Sequence, residues 1–350
     1  MGILLKCYKN HNTSILYAGI DISKSNFTCS LWLDQAAIDL GEFDNGQDGF
    51  KALATAIAPY HTANKYETVH IIMEATGGYE LYLLSFISKQ GWLFTLPNPK
   101  RVRDWAKGMG YRAKNDRIDG RLLAHFGYQT HPAPQQPVPQ VIEQLDSLLQ
   151  RQEDIQKLLR QERNRQHALA YHPDAADAAV ASVARTITFL EEEKQQIEGE
   201  IKALLKANPK LRTQARQLST VCGIGKKTTL PLLVMCHRYY ARTCGQGTSK
   251  GITAYLGLDA QEYSSGSSVK KRATISKMGN SQMRARLYLS ALGGVRGKDS
   301  PLQTFYQRLV NRVKSKKLAL VASSRKIAVW AWAVFQQGVD FDPSRFATAN

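Results

Sequence analysis

The sequence predicts an α/β fold followed by mainly helical structure, and three observations carry this prediction. β-favouring and helical segments alternate over residues 15–129, as in a mixed α/β sheet. The proline-rich segment 131–139 then favours an extended linker. Long apolar periodicities of three and four residues follow. We therefore expect a mixed-sheet domain over 1–139, coiled-coil helices over 140–208 and a basic, mainly helical domain over 209–350.

The elements of the first domain follow from local sequence signals. β-branched and aromatic residues mark strands, and glycine or proline marks their ends. The predicted strands cover 15–22, 27–33, 37–43, 70–74 and 92–96, and the predicted helices cover 49–59, 79–90 and 115 or 116 to about 129.

The middle of the chain reads as two long helices, over 140–171 and 175–206, broken at His172-Pro173. The second has an apolar seam at helical spacing, formed by Val183, Ile187, Leu190, Ile197, Ile201 and Leu204. Such a seam packs either on the first helix of its own hairpin or on a second subunit. The sequence favours the second arrangement, a homodimer or homotetramer.

Four acidic residues stand where acids are not expected. Asp21 interrupts an apolar run, Glu74 closes another, and Asp116 and Asp119 lie three residues apart at the start of a predicted helix. Burying an isolated carboxylate is costly without a proton, a cation or a metal. Helix capping alone would explain Asp116 or Asp119, but it explains neither Asp21 nor Glu74. Their convergence predicts a divalent-metal site, for Mg²⁺ or Mn²⁺.

Charge is distributed unevenly along the chain. The net charge is +18, yet from Leu205 onward there are 25 basic and 5 acidic residues, against 22 and 24 before it. A solvated basic face is the ordinary explanation of a short charge run, but this imbalance is too large for that and predicts nucleic-acid binding. The cations without a neighbouring acid include Lys270, Lys271, Arg272, Lys277, Arg284 and Arg286.

Segment 218–228 places Gly223-Ile224-Gly225 before Lys226 and Lys227. A Walker phosphate loop would need glycine at position 220, which is threonine, so ATP binding is not expected. Two glycines between helices fit a helix-hairpin-helix, whose amides and lysines grip a phosphate backbone without reading bases.

Segment 262–272 is rich in serine and glycine and ends in three cations. By composition it reads as a flexible loop. A serine hydroxyl beside cations is also a possible nucleophile at phosphorus. The residues alone do not separate its four candidate serines.

Other classes of function are disfavoured. The odd number of cysteines, without Cys-x-x-Cys spacing, indicates reduced thiols, and the Cys236, His237 and Cys244 group lacks the second pair of a zinc site. No apolar stretch is expected to span a membrane, and no signal peptide is evident, so we expect a soluble intracellular protein without a membrane partner.

Six motifs in one order resemble a known family. They are Gly19–Lys24, Met73–Gly77, Lys114–Arg121, Gly223–Gly225, Ala254–Leu258, and Ser264–Gly266 with Ile275–Asn280. Together they resemble the insertion sequence 110 family of DEDD transposases, which includes the pilin-inverting recombinases. The resemblance covers nearly the whole chain.

The resemblance implies a ribonuclease-H-like (RuvC-like) first domain with Asp21, Glu74, Asp116 and Asp119 as metal ligands. It implies that Ser265 is the nucleophile, and that donor and target DNA are chosen by a structured bridge RNA in the bacterial cytoplasm, near the nucleoid. Because the carboxylates and Ser265 lie in separate domains, we expect Ser265 to come from a neighbouring subunit.

Three alternatives remain at this stage. One is a site-specific DNA invertase of the same family. Another is a RuvC-like structure-specific endonuclease in which the carboxylates activate water. The last is a non-catalytic nucleic-acid scaffold, which would not need Asp21 or Glu74.

Overall fold

The computed structural model describes residues 14–63, 66–111, 116–265, 269–297, 300–312 and 315–346, with the side chains of 62–63, 116–119, 262–265, 269–273 and 345–346 outside the description. Its main sheet has five strands in the order β3-β2-β1-β4-β5. These strands are β1 (Ile15–Ile22), β2 (Asn26–Leu33), β3 (Ala36–Asp44), β4 (Thr68–Met73) and β5 (Leu93–Thr95). The first three pair antiparallel, whereas β4 runs parallel to both β1 and β5.

Within the described part of the chain, four helices accompany this sheet: α1 (Gln47–Ala63), α2 (Leu81–Lys89), α3 (Pro99–Gly108) and α4 (Asp116–Thr130). The sequence predicted each of them except α3. Pro97 and Pro99 suggested chain breaks, but Pro99 occupies the first turn of α3, where a missing amide costs nothing, and the Asn98 side chain caps it by accepting from the Lys100 amide at 2.9 Å.

The sheet is buried on both faces. One face packs with α1 and α2, through residues such as Leu16, Ile20 and Phe50. The other packs with α3 and α4, through residues such as Tyr17, Ile72 and Phe126. Successive side chains of a strand point to opposite faces, so odd-numbered positions of β1 face α4 and even-numbered ones face α1 and α2.

The chain divides into two compact units. The first ends at Pro137 and includes Ala241–Gly245; the second comprises Val138–Tyr240 and continues from Gln246.

The second unit begins with a helical hairpin of α5 (Gln140–Leu169) and α6 (Asp177–Ala207). The helices are antiparallel, since Gln152 bonds Glu198 and Arg163 pairs with Glu191. Ile187 and Leu190 of the predicted seam are buried against Ile155 and Leu159 of α5. The preference for a second subunit as the partner of these residues was therefore wrong: they pack within their own hairpin.

The remaining elements are α7 (Pro209–Ser219), α8 (Lys226–Arg242), α9 (Ser249–Tyr255), β6 (Ala260–Ser265), β7 (Val269–Ile275), α10 (Ser281–Gly294), α11 (Pro301–Asn311), α12 (Lys316–Gln337) and α13 (Pro343–Phe346). Strands β6 and β7 form a two-stranded antiparallel ribbon on either side of 266–268. The flexible-loop interpretation of 262–272 is therefore corrected for the residues in these strands. Three residues of β7, Val269, Thr274 and Ile275, are β-branched, which favours a strand.

Helix α12 is the core helix of the second unit. Its side chains Trp330, Trp332 and Ile327 are fully buried. The hydroxyls of Ser323 and Ser324 donate to backbone carbonyls one turn earlier in the same helix. It is long and apolar enough to cross a membrane, contrary to the expectation that no such stretch exists. More than half of the apolar stretch of this helix is buried inside the unit, as in the core helix of a soluble protein.

Candidate functional site

Asp21 and Glu74 lie at the same edge of the main sheet. Strands β1 and β4 are parallel neighbours, and the last pair in register is Ile20 with Met73. The next residue of each chain segment is one of the two acids. Both acids are therefore at the carboxyl ends of adjacent strands, which is where open α/β sheets place their ligand sites.

The two acids also share a face of the sheet. Tyr17 and Gly19 face α4, and Asp21 continues that alternation. In β4, Ile72 faces α4, and Glu74 continues the alternation by one residue beyond the strand. Both are half-buried. A pair of carboxylates thus faces the side of the sheet that α4 covers.

Helix α4 runs antiparallel to β1 and brings its first turn to this edge. A Cβ on Gly19 would overlap the carbonyl oxygen of Gly120 and the amide nitrogen of Ala124. One on Gly127 would contact Ile72 and also Tyr17, which lies two residues before Gly19 in β1. The first turn, with Asp116 and Asp119, therefore extends toward the strand ends. The backbone of these two aspartates is described, but their side chains lie outside the description.

A partly exposed ion pair connects the start of α4 to the sheet. The Arg121 Nε donates to Asp39 Oδ1 at 2.7 Å, and a guanidinium nitrogen contacts the other carboxylate oxygen. Ser30 donates to the same carboxylate at 2.9 Å. The pKa of Arg121 is raised by its hydrogen bond and charge interaction with Asp39. The pair holds α4 against β2 and β3 at the turn that follows Asp119.

A buried carboxylate organises the loop after Glu74. Glu80 accepts from the Thr76 hydroxyl at 2.7 Å, the Gly78 amide at 3.0 Å and the Thr76 amide at 3.2 Å. Burial alone would raise the pKa of Glu80, but these hydrogen bonds outweigh it and hold the pKa below its ordinary value. The ionised side chain is therefore part of the folded loop.

Asn45 joins that loop to the turn after Asp21. Its Nδ2 donates to the carbonyl oxygens of Ser23 and Tyr79, each at 3.1 Å. The backbone amide of Asn45 also donates to Ser25 at 2.8 Å. One side chain thus ties together the segments that follow both strand-end acids.

The side-chain oxygens around this edge are suited to bind a hard divalent cation. Thr28 is the register partner of Asp21 on β2, and its buried Oγ1 has no hydrogen-bond partner among the side chains and backbone that the structure describes. The same holds for the buried Oδ1 of Asn45. Carboxylate, hydroxyl and amide oxygens are the ligands that Mg²⁺ and Mn²⁺ prefer. Among the side chains that the structure describes, no three His, Cys, Asp or Glu converge. Asp116 and Asp119 are not among these.

Two helices of the second unit flank the predicted glycine turn. Helix α7 ends at Ser219 and α8 starts at Lys226, with Gly223 at φ +90° between them. A Cβ on Gly223 would press on the Ser290 carbonyl oxygen, 2.8 Å away. Only glycine fits this position. Lys226 and Lys227 are exposed at the first turn of α8, where free amides and the helix dipole favour an anion.

Ser265 ends β6, and its register partner on β7 is Val269. Its side chain and residues 266–268 lie outside the description. The base of the ribbon is fixed, because the Ser276 amide donates to the Asp259 carbonyl at 3.0 Å and the Lys277 amide donates to Gly257 at 3.1 Å. The serine stands at the far end of a ribbon whose base is anchored.

The predicted nucleic-acid contacts differ in availability. Lys270, Lys271 and Arg272 are on β7, with side chains outside the description, and Lys277 is exposed in a left-handed conformation at φ 56°. Arg284 donates to the Gly279 carbonyl at 2.6 Å, and Arg286 donates to the Lys227 carbonyl at 2.7 Å and pairs with Glu153. Both arginines have intramolecular partners, so they support the fold of the second unit.

Comparison with known proteins places these features in a family. A family model for the DEDD transposase of the IS110 type matches residues 18–172, and one described as "Transposase IS116/IS110/IS902 family" matches residues 215–307. The pilin gene-inverting protein of Moraxella lacunata is 31% identical over 93% of this chain and 97% of its own length. This chain belongs to the IS110 family of transposases. The protein is thus a transposase or DNA recombinase.

Two further relatives agree with this assignment. The pilin gene-inverting protein of Moraxella bovis has the same identity and coverage. The "Insertion element IS110 uncharacterized 43.6 kDa protein" of Streptomyces coelicolor is 29% identical over 47% of this chain and 38% of its own length. The five-stranded mixed sheet of the transposase fits the RNase-H-like domain expected for DEDD enzymes.

Sequence reasoning missed three residues that shape this edge. Glu80, Asn45 and Arg121 each hold a segment next to a predicted metal ligand. Arg121 lies inside the motif Lys114–Arg121, but the sequence alone does not indicate its ion pair with Asp39. Glu80 lies in the first turn of the helix predicted over 79–90, where an acid is expected to favour the helix dipole.

Proposed function

We propose that this transposase cuts and rejoins DNA strands by means of divalent ions and a serine nucleophile. Asp21, Glu74, Asp116 and Asp119 would hold Mg²⁺ or Mn²⁺. The observation that carries the proposal is the common edge of β1, β4 and α4, where Asp21 and Glu74 face the helix whose first turn contains the two aspartates.

Bound divalent ions would polarise the scissile phosphate and stabilise the oxygen that leaves it. The chain's own part is to hold the four carboxylates on three elements: β1, the end of β4 and the first turn of α4. The Asn45 bridge and the Arg121–Asp39 pair fix those elements before substrate arrives, which lowers the cost of assembling the site.

Ser265 would act as the nucleophile. Its Oγ forms a bond to phosphorus while the bond from phosphorus to a deoxyribose oxygen breaks; the serine proton is released and the departing oxygen takes up a proton. The phosphodiester energy stays in the serine–DNA bond, so rejoining to another strand is the reverse reaction and needs no ATP.

The second unit would hold nucleic acid mainly by its backbone. The exposed Lys226 and Lys227 at the start of α8, and the cations Lys270, Lys271, Arg272 and Lys277, favour phosphate contacts. Such contacts carry little sequence information. A structured guide RNA, the bridge RNA of our proposal, would supply the choice of donor and target DNA in the bacterial cytoplasm.

The catalytic proposal is tested by isosteric replacement of the strand-end acids. Asp21→Asn and Glu74→Gln are expected to reduce strand cleavage at least a hundredfold, because each removes a charged metal ligand. Asp34→Asn is the matched control: Asp34 is exposed at the β2–β3 turn, at φ 44°, which asparagine also adopts readily. Cleavage that survives both site variants would contradict the metal site and favour a non-catalytic scaffold.

The serine is tested by trapping the covalent intermediate. Denaturation during the reaction should leave protein attached to DNA in the wild type and not in Ser265→Ala, with Ser264→Ala as the neighbouring control. If Ser265→Ala cuts normally and no protein remains attached, water is the nucleophile and the RuvC-like endonuclease alternative holds.

The composite site is a separate element of the proposal. Asp21 belongs to the first unit and Ser265 to the second, so mixed oligomers of Asp21→Asn and Ser265→Ala subunits should recover part of the activity. No recovery in any mixture would remove the support for a site shared between subunits of a homodimer or homotetramer.

Inversion is the second candidate outcome for the same chemistry. The two Moraxella relatives, matched over nearly the whole chain, are named for pilin gene inversion. A plasmid that carries paired sites distinguishes the two: an inverted segment with no net insertion would favour an invertase, and insertion at a new site would favour a transposase of a mobile element.

A further inference from the structure

Exposed aromatic side chains stand beside the candidate catalytic edge. In the loop after Glu74 and the first turn of α2, Tyr82 is 77% exposed, Leu81 50% and Tyr79 47%. Their neighbour Glu80 is only 6% exposed. Large apolar side chains in contact with solvent next to a functional site commonly mark a binding surface.

The loop that presents these side chains is held in place. Glu80 accepts three hydrogen bonds from Thr76 and Gly78, and Asn45 donates to the Tyr79 carbonyl. The backbone is therefore ordered before any ligand binds. A preorganised aromatic surface loses little conformational entropy when it makes contact.

The same contacts locate the surface. The Asn45 Nδ2 lies 3.1 Å from the carbonyl oxygens of both Tyr79 and Ser23. Ser23 is two residues beyond Asp21, and Tyr79 is five residues beyond Glu74. Helix α2 packs on the sheet face opposite to the one that the carboxylates face. The backbone of Tyr79 thus borders the strand ends that carry both acids, and Tyr82 follows it in the first turn of α2.

We propose that Tyr79 and Tyr82 form a stacking platform for an unpaired nucleobase of the DNA strand whose phosphate lies at the carboxylates. This inference rests on the proposed function. Residues 74–82 contain two acids and no cation, so they are unsuited to grip phosphate. Flat aromatic rings instead bind the π-face that every base offers, independent of sequence. Strand exchange requires unpaired nucleotides next to the reacting phosphate, and the platform would hold one of them outside the helix.

The probe is a synthetic DNA duplex with an unpaired tract that carries 2-aminopurine at each unpaired position in turn. The fluorescence of this base is quenched when it stacks on an aromatic ring. Titration with the full-length transposase in metal-free buffer avoids cleavage. Quenching is expected at one or two positions, and the Tyr79→Ala, Tyr82→Ala double variant should lose it and bind the unpaired tract about tenfold more weakly.

Three further variants test the chemistry. Tyr79→Phe with Tyr82→Phe keeps both rings and should retain quenching. Tyr82→Leu keeps apolar area without a flat ring, and should lose most of the quenching that Tyr82 provides. Tyr171→Ala is the matched exposed-tyrosine control, because Tyr171 is 78% exposed in the turn between α5 and α6, and it should behave like the wild type.

Two results would overturn the platform. One is unchanged quenching in the double alanine variant with an unaltered thermal midpoint. The other is a shift of the double variant to a smaller oligomer in light scattering with quenching intact, which would make the patch a contact between copies of this chain. If the double variant unfolds, Tyr82→Leu alone decides, because Tyr82 is the most exposed of the group. The quenching titration does not depend on cleavage. Cleavage by Asp21→Asn would therefore refute the metal site, and the quenching result would stand independently of it.

Discussion

The polar residues around the strand-end acids differ in how clearly the sequence indicates their role. Asp21 and Glu74 are conspicuous because apolar residues surround them on both sides or on one. Glu80 is not, because an acid in the first turn of a predicted helix is common. Only the folded loop reveals that its carboxylate turns back to Thr76 and Gly78 instead of capping α2. Local sequence thus identified the candidate ligands better than the residues that position them.

Replacing Glu80 should loosen the loop that follows Glu74. Glu80→Gln keeps the size of the side chain but weakens its acceptors, and each weakened buried hydrogen bond costs about 1 kcal/mol. We expect hydrogen exchange at the Thr76 and Gly78 amides to become about tenfold faster. Glu67→Gln, at an exposed site before β4, is the control and should leave both amides unchanged.

The same variant has a defined pH dependence. Because the pKa of Glu80 is lowered on folding, its contribution is complete above its ordinary value of 4.5 and is lost as pH falls through the lowered value. The difference in amide protection between wild type and Glu80→Gln should thus be constant above about pH 5 and shrink in stronger acid. A difference that grew on acidification would contradict an ionised anchor.

At the scale of elements, α4 illustrates what periodicity determines and what it does not. The predicted helix from 115 or 116 to about 129 agrees with the observed Asp116–Thr130. Its direction across the sheet was not predictable, since it depends on the Gly19–Gly120 contact between distant segments. The apolar seam of α6 gives the same lesson: spacing specified an apolar face, but not that α5 of the same chain would cover it.

Substitution by alanine should have different effects at the two facing glycines. A Cβ on Gly19 would overlap the backbone of α4, so Gly19→Ala must push the helix away, at a cost of about 1–3 kcal/mol. A Cβ on Gly120 would have its closest contact with Ser30 Oγ at 3.4 Å, an ordinary packing distance. Gly120→Ala should be tolerated, because alanine also favours helix.

Thermal unfolding and strand cleavage together check this contrast. Gly19→Ala should lower the midpoint and reduce cleavage, since α4 carries Asp116 and Asp119, whereas Gly120→Ala should change neither strongly. Gly108→Ala, in open space at the end of α3, is the neutral control. If Gly19→Ala and Gly120→Ala lowered the thermal midpoint and cleavage equally, the space above the strand would not determine where α4 lies.

For the whole molecule, composition predicted more than local pattern could. The imbalance of 25 basic to 5 acidic residues from Leu205 onward indicated a polyanion partner before any element was assigned. It did not indicate which cations are free. Arg284 and Arg286 looked equivalent to Lys226 and Lys227 in the sequence, yet only the lysines are exposed at a helix start, while the arginines bond to backbone carbonyls of their own unit.

This distinction predicts how DNA affinity depends on salt. Each lysine that neutralises a phosphate releases a counterion and contributes about 0.9 to the slope of log K against log salt for duplex DNA. The Lys226→Gln, Lys227→Gln double variant should therefore reduce the slope by about 2 and weaken binding similarly for all sequences. Lys51→Gln, whose lysine pairs with Asp48 on α1, is the control and should leave the slope unchanged. Arg284→Gln should destabilise the second unit, because its carbonyl partners lose their donor. A wild-type slope near zero would refute backbone binding by the basic region, and an unaltered slope in the double variant would exclude the glycine turn before α8 as one of its phosphate contacts.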